Sequence, residues 1–271
     1  MSRFAFIWVH EIVASLSDLK QALYGTVSES VPEDKIAVAF SGGVDSSLLA
    51  KICQDLGKKL VLITVGFPGS HDIRFAKGIA LKMGIEHSIF EIDHSDFQEN
   101  LRRVRQAIKC ENTSHIENCI AYFYISKLTM QNDLSIVVSA NGCDELFCGY
   151  DGYRMAYSCG EPAIVKFMDE KIANELALVE EIAKVAGQFG VLVKQPFLSR
   201  KFVEFAKTIP IDQKINGSHD MTRKHVLRQV ALSIGVPTES AMKPKKALQY
   251  GSLIHKYFKL PSHFCNFFHK S

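Results

Sequence analysis

The sequence predicts an α/β fold, in which a doubly wound and mostly parallel sheet is followed by a helical C-terminal part. Over the first 150 residues, short apolar runs alternate with amphipathic stretches, as in β-α units that are joined by right-handed crossovers. Glycines separate several of these runs, at Gly42, Gly43, Gly57 and Gly84. After Pro162 the strand pattern fades, and helical stripes recur around residues 164–186, 200–207 and 222–234.

Four short apolar runs are the predicted strands, and their composition is that of buried parallel strands. They cover residues 35–40, 60–65, 88–92 and 135–140. Helices are predicted over residues 5–30, 48–56, 73–83, 95–108 and 116–130. Ser95 and Gln98 form a capping-box signature at the start of the fourth helix. We therefore divide the chain into a helical lead-in, an α/β part and a helical part packed on it, over residues 1–34, 35–160 and 161–271.

Charge, hydropathy and cysteine content argue against several classes of protein. The net charge of +3 is too small to point to nucleic acid. No run of about 18 apolar residues could span a membrane, and the apolar patch at residues 4–9 is too short for a signal peptide. We therefore expect a cytoplasmic protein without a membrane partner. Seven cysteines, an odd number without a Cys-x-x-Cys pair, argue against a disulfide framework and a structural zinc.

The segment Ser41–Ser47, with the sequence SGGVDSS, joins the first predicted strand to a helix. Gly42 and Gly43 allow a sharp turn and the close approach of a ligand. The first amides of the helix have no partner within it, so with the helix dipole they form a site suited to phosphate. Hydroxyl groups are added by Ser41, Ser46 and Ser47. The segment is therefore a candidate phosphate-binding loop.

Two other interpretations of this loop are weaker. The pattern G-x-x-x-x-G-K-[ST] is absent, which argues against a kinase or a GTPase. A plain turn in which Asp45 caps the helix would fit an isolated Ser-Gly-Gly, but the whole motif between a strand and a helix is far more specific.

The SGGVDSS loop resembles the pyrophosphate-binding loop of the N-type ATP pyrophosphatases, or PP-loop proteins. Within that superfamily it is most similar to the synthetase domain of asparagine synthetase. Four further stretches agree with that domain in order and spacing. They are VGFPGSHD at 65–72, SANGCDELFCGY at 139–150, QPFLSRKF at 195–202, and KHVLR at 224–228 with Lys245 and Lys246 after it. The resemblance covers about residues 35–255 and implies an adenine nucleotide alpha hydrolase-like fold.

The resemblance implies roles for the matching residues. Ser41–Ser47 would hold the pyrophosphate of ATP, and Asp45 and Asp144 would bind magnesium, which prefers oxygen ligands. Ala39 and Val65 would line the adenosine site, with Ser139 and Ala140 beside the nucleotide. The plainer alternatives are a helix cap for Asp144 and, for Glu145, a buried structural carboxylate that is paired with a base.

Several basic residues near the C-terminus have two interpretations. Lys246, with Lys245 as the rival, matches a lysine that would reach the α-phosphate and stabilise the charge that grows there. The alternative is a solvated basic loop over residues 243–246. Lys224 and Arg228 lie four residues apart on a predicted helix and face either phosphate or the surface.

Three departures from the family pattern concern the nitrogen source and the acceptor. Only about 40 residues precede the loop and residue 2 is serine, so we expect no amidotransferase domain; ammonia, another amine or a separate glutaminase subunit would supply nitrogen. Asn141 stands where the family has a glutamate, and an amide cannot act as a carboxylate base. Residues 113–118 lack the arginine of the family's aspartate site, for which His115 or Arg154 could compensate.

These observations lead to three hypotheses. The first is an ATP-dependent ligase that activates a small carboxylate as an adenylate and forms an amide, with Lys246, Asn141 and Glu145 in catalytic positions. The second is a tRNA-modifying PP-loop enzyme that uses a basic helix face, formed by Arg102, Arg103, Arg105 and Lys109. A solvated face is the favoured interpretation of those residues, so nucleic acid is not the expected partner. The third is a non-catalytic ATP-binding subunit. A homodimer is one assembly that the sequence allows.

Overall fold

Five parallel strands form one sheet in the computed structural model, which describes residues 15–244 and 247–259. In chain order they are β1 (Lys35–Ala39), β2 (Lys59–Gly66), β3 (Glu86–Glu91), β4 (Ile136–Val138) and β5 (Leu192–Lys194). Their spatial order is β3-β2-β1-β4-β5, with parallel pairing throughout. The chain builds outward from β1 to β3 and then returns to the other side of β1. The switch point, where such sheets bind ligands, therefore lies between β1 and β4.

Helices cover both faces of the sheet and fill the C-terminal half. The first five are α1 (Leu16–Ser30), α2 (Val44–Asp55), α3 (His71–Met83), α4 (His94–Ala107) and α5 (Thr113–Gln131). After β4 come α6 (Cys143–Leu146), α7 (Gly152–Tyr157) and the long α8 (Glu161–Gly187). After β5 come α9 (Arg200–Lys207), α10 (His225–Ser233), α11 (Thr238–Ala241), α12 (Leu248–Gly251) and α13 (Ile254–Phe258). None of these described helices is long and apolar enough to cross a membrane.

The sheet separates two hydrophobic cores because successive side chains of a strand point to opposite faces. On β1, Ile36 and Val38 belong to one core and Ala37 belongs to the other. The first core includes buried residues of α1, α2 and α10, and the second includes those of α4 and α5. Residues from both sides of position 160 contribute to each core, so the division of the chain at 160 remains a prediction.

The structure confirms the doubly wound parallel fold and corrects two details. β5 was not predicted, because Leu192–Lys194 has only three residues and ends in a lysine; residues 161–271 are therefore not wholly helical. The proposed capping box at Ser95 is wrong, since α4 begins one residue earlier and the side chain of Asp93 accepts the Ser95 amide at 2.8 Å. Residues 1–14 of the predicted lead-in lie outside the described residues.

Candidate functional site

A cleft opens at the carboxyl edge of the sheet, over the switch point between β1 and β4. Strands β1 and β2, the loop after β1, the segment after β4, and helices α5 and α8 all contribute to its walls. Ten of the residues that the sequence singled out line this one cleft: Ala39, Ser41, Asp45, Ser46, Val65, Ser139, Ala140, Asn141, Asp144 and Glu145. The fold therefore brings together segments that lie more than 100 residues apart in the chain.

The loop after β1 is held in place by its own hydrogen bonds and by α3. Gly42 has a φ of +71°, and a Cβ there would lie 2.9 Å from the Phe75 ring. The Ser46 hydroxyl donates to the Gly43 carbonyl at 3.2 Å and accepts the Ser41 amide at 3.3 Å. The glycine at position 42 is thus required for both its backbone conformation and its close packing.

Not every loop residue faces the cleft. Gly43 lines a smaller adjoining pocket together with Lys224, Arg228 and Lys243, and Gly42 packs on α3 instead. Ser47 is fully buried, and its hydroxyl has no hydrogen-bond partner among the described residues. The Oδ1 atom of Asp45 is likewise buried without a hydrogen bond among the described residues. Buried polar atoms without partners cost free energy, so the oxygen of Asp45, a residue that lines the cleft, fits a loop that receives a ligand.

Asp45 and Asp144, the two predicted magnesium ligands, meet around the side chain of Lys224. Its Nζ lies 2.5 Å from Oδ2 of Asp45 and 2.6 Å from Oδ1 of Asp144. Lys224 is 1% exposed. Burial alone would lower its pKa, but the charges of Asp144 and Asp45 more than offset this and raise the pKa well above its usual value. Lys224 is therefore a buried cation that joins the two carboxylates and is not a surface residue.

Arg228 is also buried. Its guanidinium borders the smaller pocket, but it donates to the carbonyls of Thr222 and Arg223 at 2.8 Å each and to those of Ala241 and Lys243. The surface interpretation of Arg228 is therefore wrong. Its hydrogen bonds fix the backbone on both sides of α10, including the residue that leads into Lys245 and Lys246.

Lys245 and Lys246 lie outside the described residues, so their predicted role at the α-phosphate stays a prediction. The residues on each side of them border the site. Lys243 and Pro244 line the smaller pocket, and 247–249 line the cleft. The Lys243 ammonium lies 3.5 Å from the carbonyl oxygen of Ser41 and 3.8 Å from the centre of the Phe75 ring, so it packs against the loop.

The segment after β4 orients Asn141 through a hydrogen-bond network. Its Oδ1 accepts the Tyr122 hydroxyl at 2.7 Å and the Ser139 hydroxyl at 2.8 Å. Because both neighbours donate to this oxygen, the amide nitrogen faces the other way, where it donates to Glu175 of α8. Asn141 therefore presents a fixed donor to a carboxylate.

Glu145 is buried at the start of α6, with 3% of its surface exposed. It accepts the Gly142 amide at 3.1 Å and the Tyr150 hydroxyl. Burial, together with the charges of Glu175 and Asp144, raises the pKa of Glu145 to about 8. Among the described residues these partners are a backbone amide and a phenol, and no base is paired with Glu145 there.

Glu175 is a site residue that the sequence analysis missed, although the sequence contains a signal for it. The buried face of α8 carries Ile164, Met168, Ile172, Glu175, Leu178 and Ile182. Glu175 occupies an apolar position of this stripe and is 7% exposed. A carboxylate at a position that the periodicity assigns to the core is costly to bury and therefore indicates a functional or paired residue.

The far end of the cleft is formed by α5 and α8, where the resemblance placed the acceptor site. Ser114, His115 and Asn118 line it from α5, and Lys171 and Asn174 line it from α8. His115 Nε2 lies 3.0 Å from Asn174 Oδ1. Arg154, the other suggested substitute for the family arginine, donates to the Ser218 carbonyl at 2.9 Å and does not line the cleft.

The basic face of α4 agrees with its solvated interpretation. Arg102 and Arg103 are exposed and pair with Glu99 of the same helix. Leu101 and Val104 are buried on the opposite side. Nothing in these contacts favours a nucleic-acid surface.

The fold and the site define an α/β protein with a candidate phosphate-binding loop at the switch point of a parallel sheet. Comparison with known sequences identifies its family. The profile of the family described as Asparagine synthase matches residues 18–182 and 168–264. The chain belongs to the asparagine synthase family.

Individual relatives carry the same family name. A protein of Methanocaldococcus jannaschii, provisionally named glutamine-hydrolyzing asparagine synthetase 1, is 30% identical over 266 residues, covering 86% of this chain and 49% of that protein. Asparagine synthetase B of Escherichia coli is 27% identical over 265 residues, covering 90% and 46%. The chain thus spans about half the length of these relatives. An ammonia-dependent NAD synthetase structure from Campylobacter jejuni aligns with a TM-score of 0.37 and 16% identity, over 50% of this chain and 61% of that chain.

Proposed function

We propose that this chain is an ATP-dependent amide-forming ligase, which activates a small carboxylate with release of pyrophosphate and then transfers the acyl group to an amine. The observation that carries the proposal is that one cleft is lined both by residues of the SGGVDSS loop, with Asp144 of the segment after β4 beside them, and by an acceptor end with Asn141 and Glu175. A phosphate site and a site for a second substrate, joined in one cleft, are what such a two-step reaction needs.

ATP would lie across the switch point. Ala39, Val65, Ser139 and Ala140 would contact its adenosine, and the loop would hold the β- and γ-phosphates. The substrate carboxylate would attack the α-phosphorus, and the bond to the departing pyrophosphate would break. Lys246, with Lys245 as the alternative, would stabilise the charge on the α-phosphate. The amine would then attack the acyl carbon, and AMP would leave.

Magnesium fits the residues that would hold it. Asp45 and Asp144 supply carboxylate oxygens, which this ion prefers, and Asp45 Oδ1 is buried without a hydrogen bond among the described residues. When bound, the ion would neutralise the charge of the phosphates. Lys224 holds the carboxylates of Asp45 and Asp144 together. When the nucleotide binds, the Lys224 ammonium would either donate to a phosphate oxygen or keep its contact with Asp45.

Nitrogen would come from ammonia, another amine or a separate glutaminase subunit. The test of the whole proposal is nucleotide chemistry. Purified chain is incubated with ATP, magnesium, ammonium and a panel of carboxylates, and the spent nucleotide is separated by chromatography. AMP and pyrophosphate are the expected products, and ADP as the main product would contradict the proposal.

Asp45→Asn should abolish this turnover, because removing a charge at a metal-phosphate site removes roughly several kcal/mol of transition-state stabilisation. Asp212→Asn is the matched control, since Asp212 is exposed and lies outside the cleft. Equal activity of the two variants would exclude the role of Asp45.

A further inference from the structure

Glu175 and Asn141 form a complementary pair at the acceptor end of the cleft. The Asn141 oxygen is occupied by Tyr122 and Ser139, so its amide nitrogen can only donate in the direction of Glu175. A carboxylate at position 141 would instead face the carboxylate of Glu175 at hydrogen-bond distance. Two like charges at so short a distance repel each other, so the residue types at positions 141 and 175 depend on each other.

The cleft therefore still contains a carboxylate next to the amide of Asn141. Asn141 donates the hydrogen bond, and Glu175 of α8 is the carboxylate that accepts it. Glu175 lines the cleft itself, so its oxygens border the space in which the acceptor group and the amine would meet. Lys171, one turn earlier on α8, lines the same wall.

We propose that Glu175 is the group that orients the attacking amine and takes its proton in the second half-reaction. This inference rests on the proposed function. The amine nitrogen forms a bond to the acyl carbon of the adenylate, and the nitrogen gives one proton to the Glu175 carboxylate. The carbon–oxygen bond to the phosphate then breaks, and AMP leaves with the electron pair. Asn141 is a positioning residue that holds the carboxylate toward the nucleophile.

The test compares two nucleophiles in isosteric variants. A carboxylate that supports ATP–pyrophosphate exchange by the wild-type chain is used with ammonium or with hydroxylamine, which is uncharged at neutral pH and depends less on a base. Glu175→Gln should slow amide formation from ammonium by roughly 10²-fold or more, the usual contribution of a general base. Hydroxamate formation should fall much less. Glu180→Gln, on the exposed side of the same helix, is the control.

The double variant Asn141→Asp/Glu175→Gln moves the carboxylate across the pair without changing the shape of either side chain. It should recover part of the ammonium-dependent rate that Glu175→Gln loses. Thermal unfolding gives a second readout that does not need activity. Asn141→Asp alone should lower the melting temperature, because it places two carboxylates in contact, and adding Glu175→Gln should restore it.

Three results would overturn the assignment of Glu175. They are a Glu175→Gln variant that keeps the ammonium-dependent rate, an equal loss with both nucleophiles, and additive effects of the two substitutions on the melting temperature. A wild-type chain that shows no exchange with any carboxylate would instead refute the proposed function. The catalytic role of Glu175 would then fall with it, while the melting temperatures would still report on the pair.

Discussion

The ammonium of Lys224 lies 2.5 Å from a carboxylate oxygen of Asp45, a residue 179 positions earlier in the chain. This contact ties the candidate phosphate-binding loop after β1 to the start of α10. Because Asp144 shares the same ammonium, one buried cation holds together the two carboxylates that we propose as magnesium ligands.

Lys224→Met should destabilise the protein and make its stability depend on magnesium. Removing one member of a buried ion pair typically costs about 3–5 kcal/mol, because the remaining charges are left without compensation. Magnesium can supply that compensation, so it should recover more of the free energy of unfolding in the variant than it adds to the wild type. Denaturant unfolding with and without magnesium measures both effects.

Lys201→Met is the control for this experiment. Lys201 pairs with Glu29, but both side chains are exposed, and such pairs contribute about 0–1 kcal/mol. If magnesium left the unfolding of the Lys224 variant unchanged, the proposed metal site between Asp45 and Asp144 would be contradicted.

Gly149→Ala should disrupt the same site by steric contact. A Cβ at this position would lie 2.8 Å from Cα of Asp144 and would overlap the side chains of Asp144 and Lys224. We expect a loss of about 1–3 kcal/mol in stability, as for other overpacked positions, together with the loss of ATP turnover. Gly25→Ala is the matched control in α1, where a Cβ meets nothing within 4 Å. That change should stabilise the chain by about 0.5–1 kcal/mol. Unimpaired turnover of the Gly149 variant would disprove the steric argument.

The strands and the loop could be predicted from the sequence because both depend on local pattern. An apolar run followed by SGGVDSS is sufficient to place β1, the turn and α2. Glu175 was also within reach, since it interrupts an otherwise apolar helical stripe. The position of Lys224 could not be predicted, because its partners are distant in sequence. Its backbone also has a φ of +56°, and no glycine in the sequence indicates this left-handed conformation. Neighbouring Arg223 shares this conformation, with a φ of +49°.

His87 should make the protein less stable in mild acid. Burial, and to a lesser degree the charge of Lys77, lowers the pKa of His87 from 6.5 to about 4. Its Nε2 lies 2.7 Å from the Thr64 hydroxyl, which donates to the Phe40 carbonyl just before the loop. The unfolded chain therefore binds a proton at a higher pH than the folded one, and stability is lost as the pH falls from about 6.5 toward 4. His87→Gln should lose less stability than the wild type between pH 7 and about 4.5, as urea midpoints would reveal. If the urea midpoints of the two proteins fell in parallel with pH, His87 would not contribute to the loss of stability in acid.

Glutamine should not replace ammonium as nitrogen source for this chain. The Cys110 sulfur lies 3.5 Å from His115 Nδ1, and His115 Nε2 lies 3.0 Å from Asn174. A cysteine, a histidine and an asparagine linked in this way resemble the catalytic groups of cysteine hydrolases. His115 and Asn174 line the cleft but Cys110 does not, so a glutamine in the cleft would not meet the thiol. Amide formation with glutamine and with ammonium is compared directly. Any glutamine-dependent turnover would contradict the prediction, and its loss in Cys110→Ala would assign it to this thiol.

Free aspartate should be a poor substrate, and the charges of the cleft give the reason. A dicarboxylate needs a cation for its second carboxylate, and an arginine is the usual group because it binds both oxygens. The described lining residues include five acids, Asp45, Asp72, Asp144, Glu145 and Glu175, and Lys171 is the one lysine or arginine among them. Lys171 is a point charge on a flexible stem, and it packs over the rings of Tyr150 and Phe167 at 5.5 and 5.0 Å.

Pyrophosphate release that depends on aspartate and ammonium should therefore stay near background, while a monocarboxylate with a free amine should fit the acidic wall better. Saturable asparagine formation would refute this expectation. Lys171→Met would then show whether Lys171 supplies the clamp, since its loss should raise KM for aspartate more than it lowers kcat.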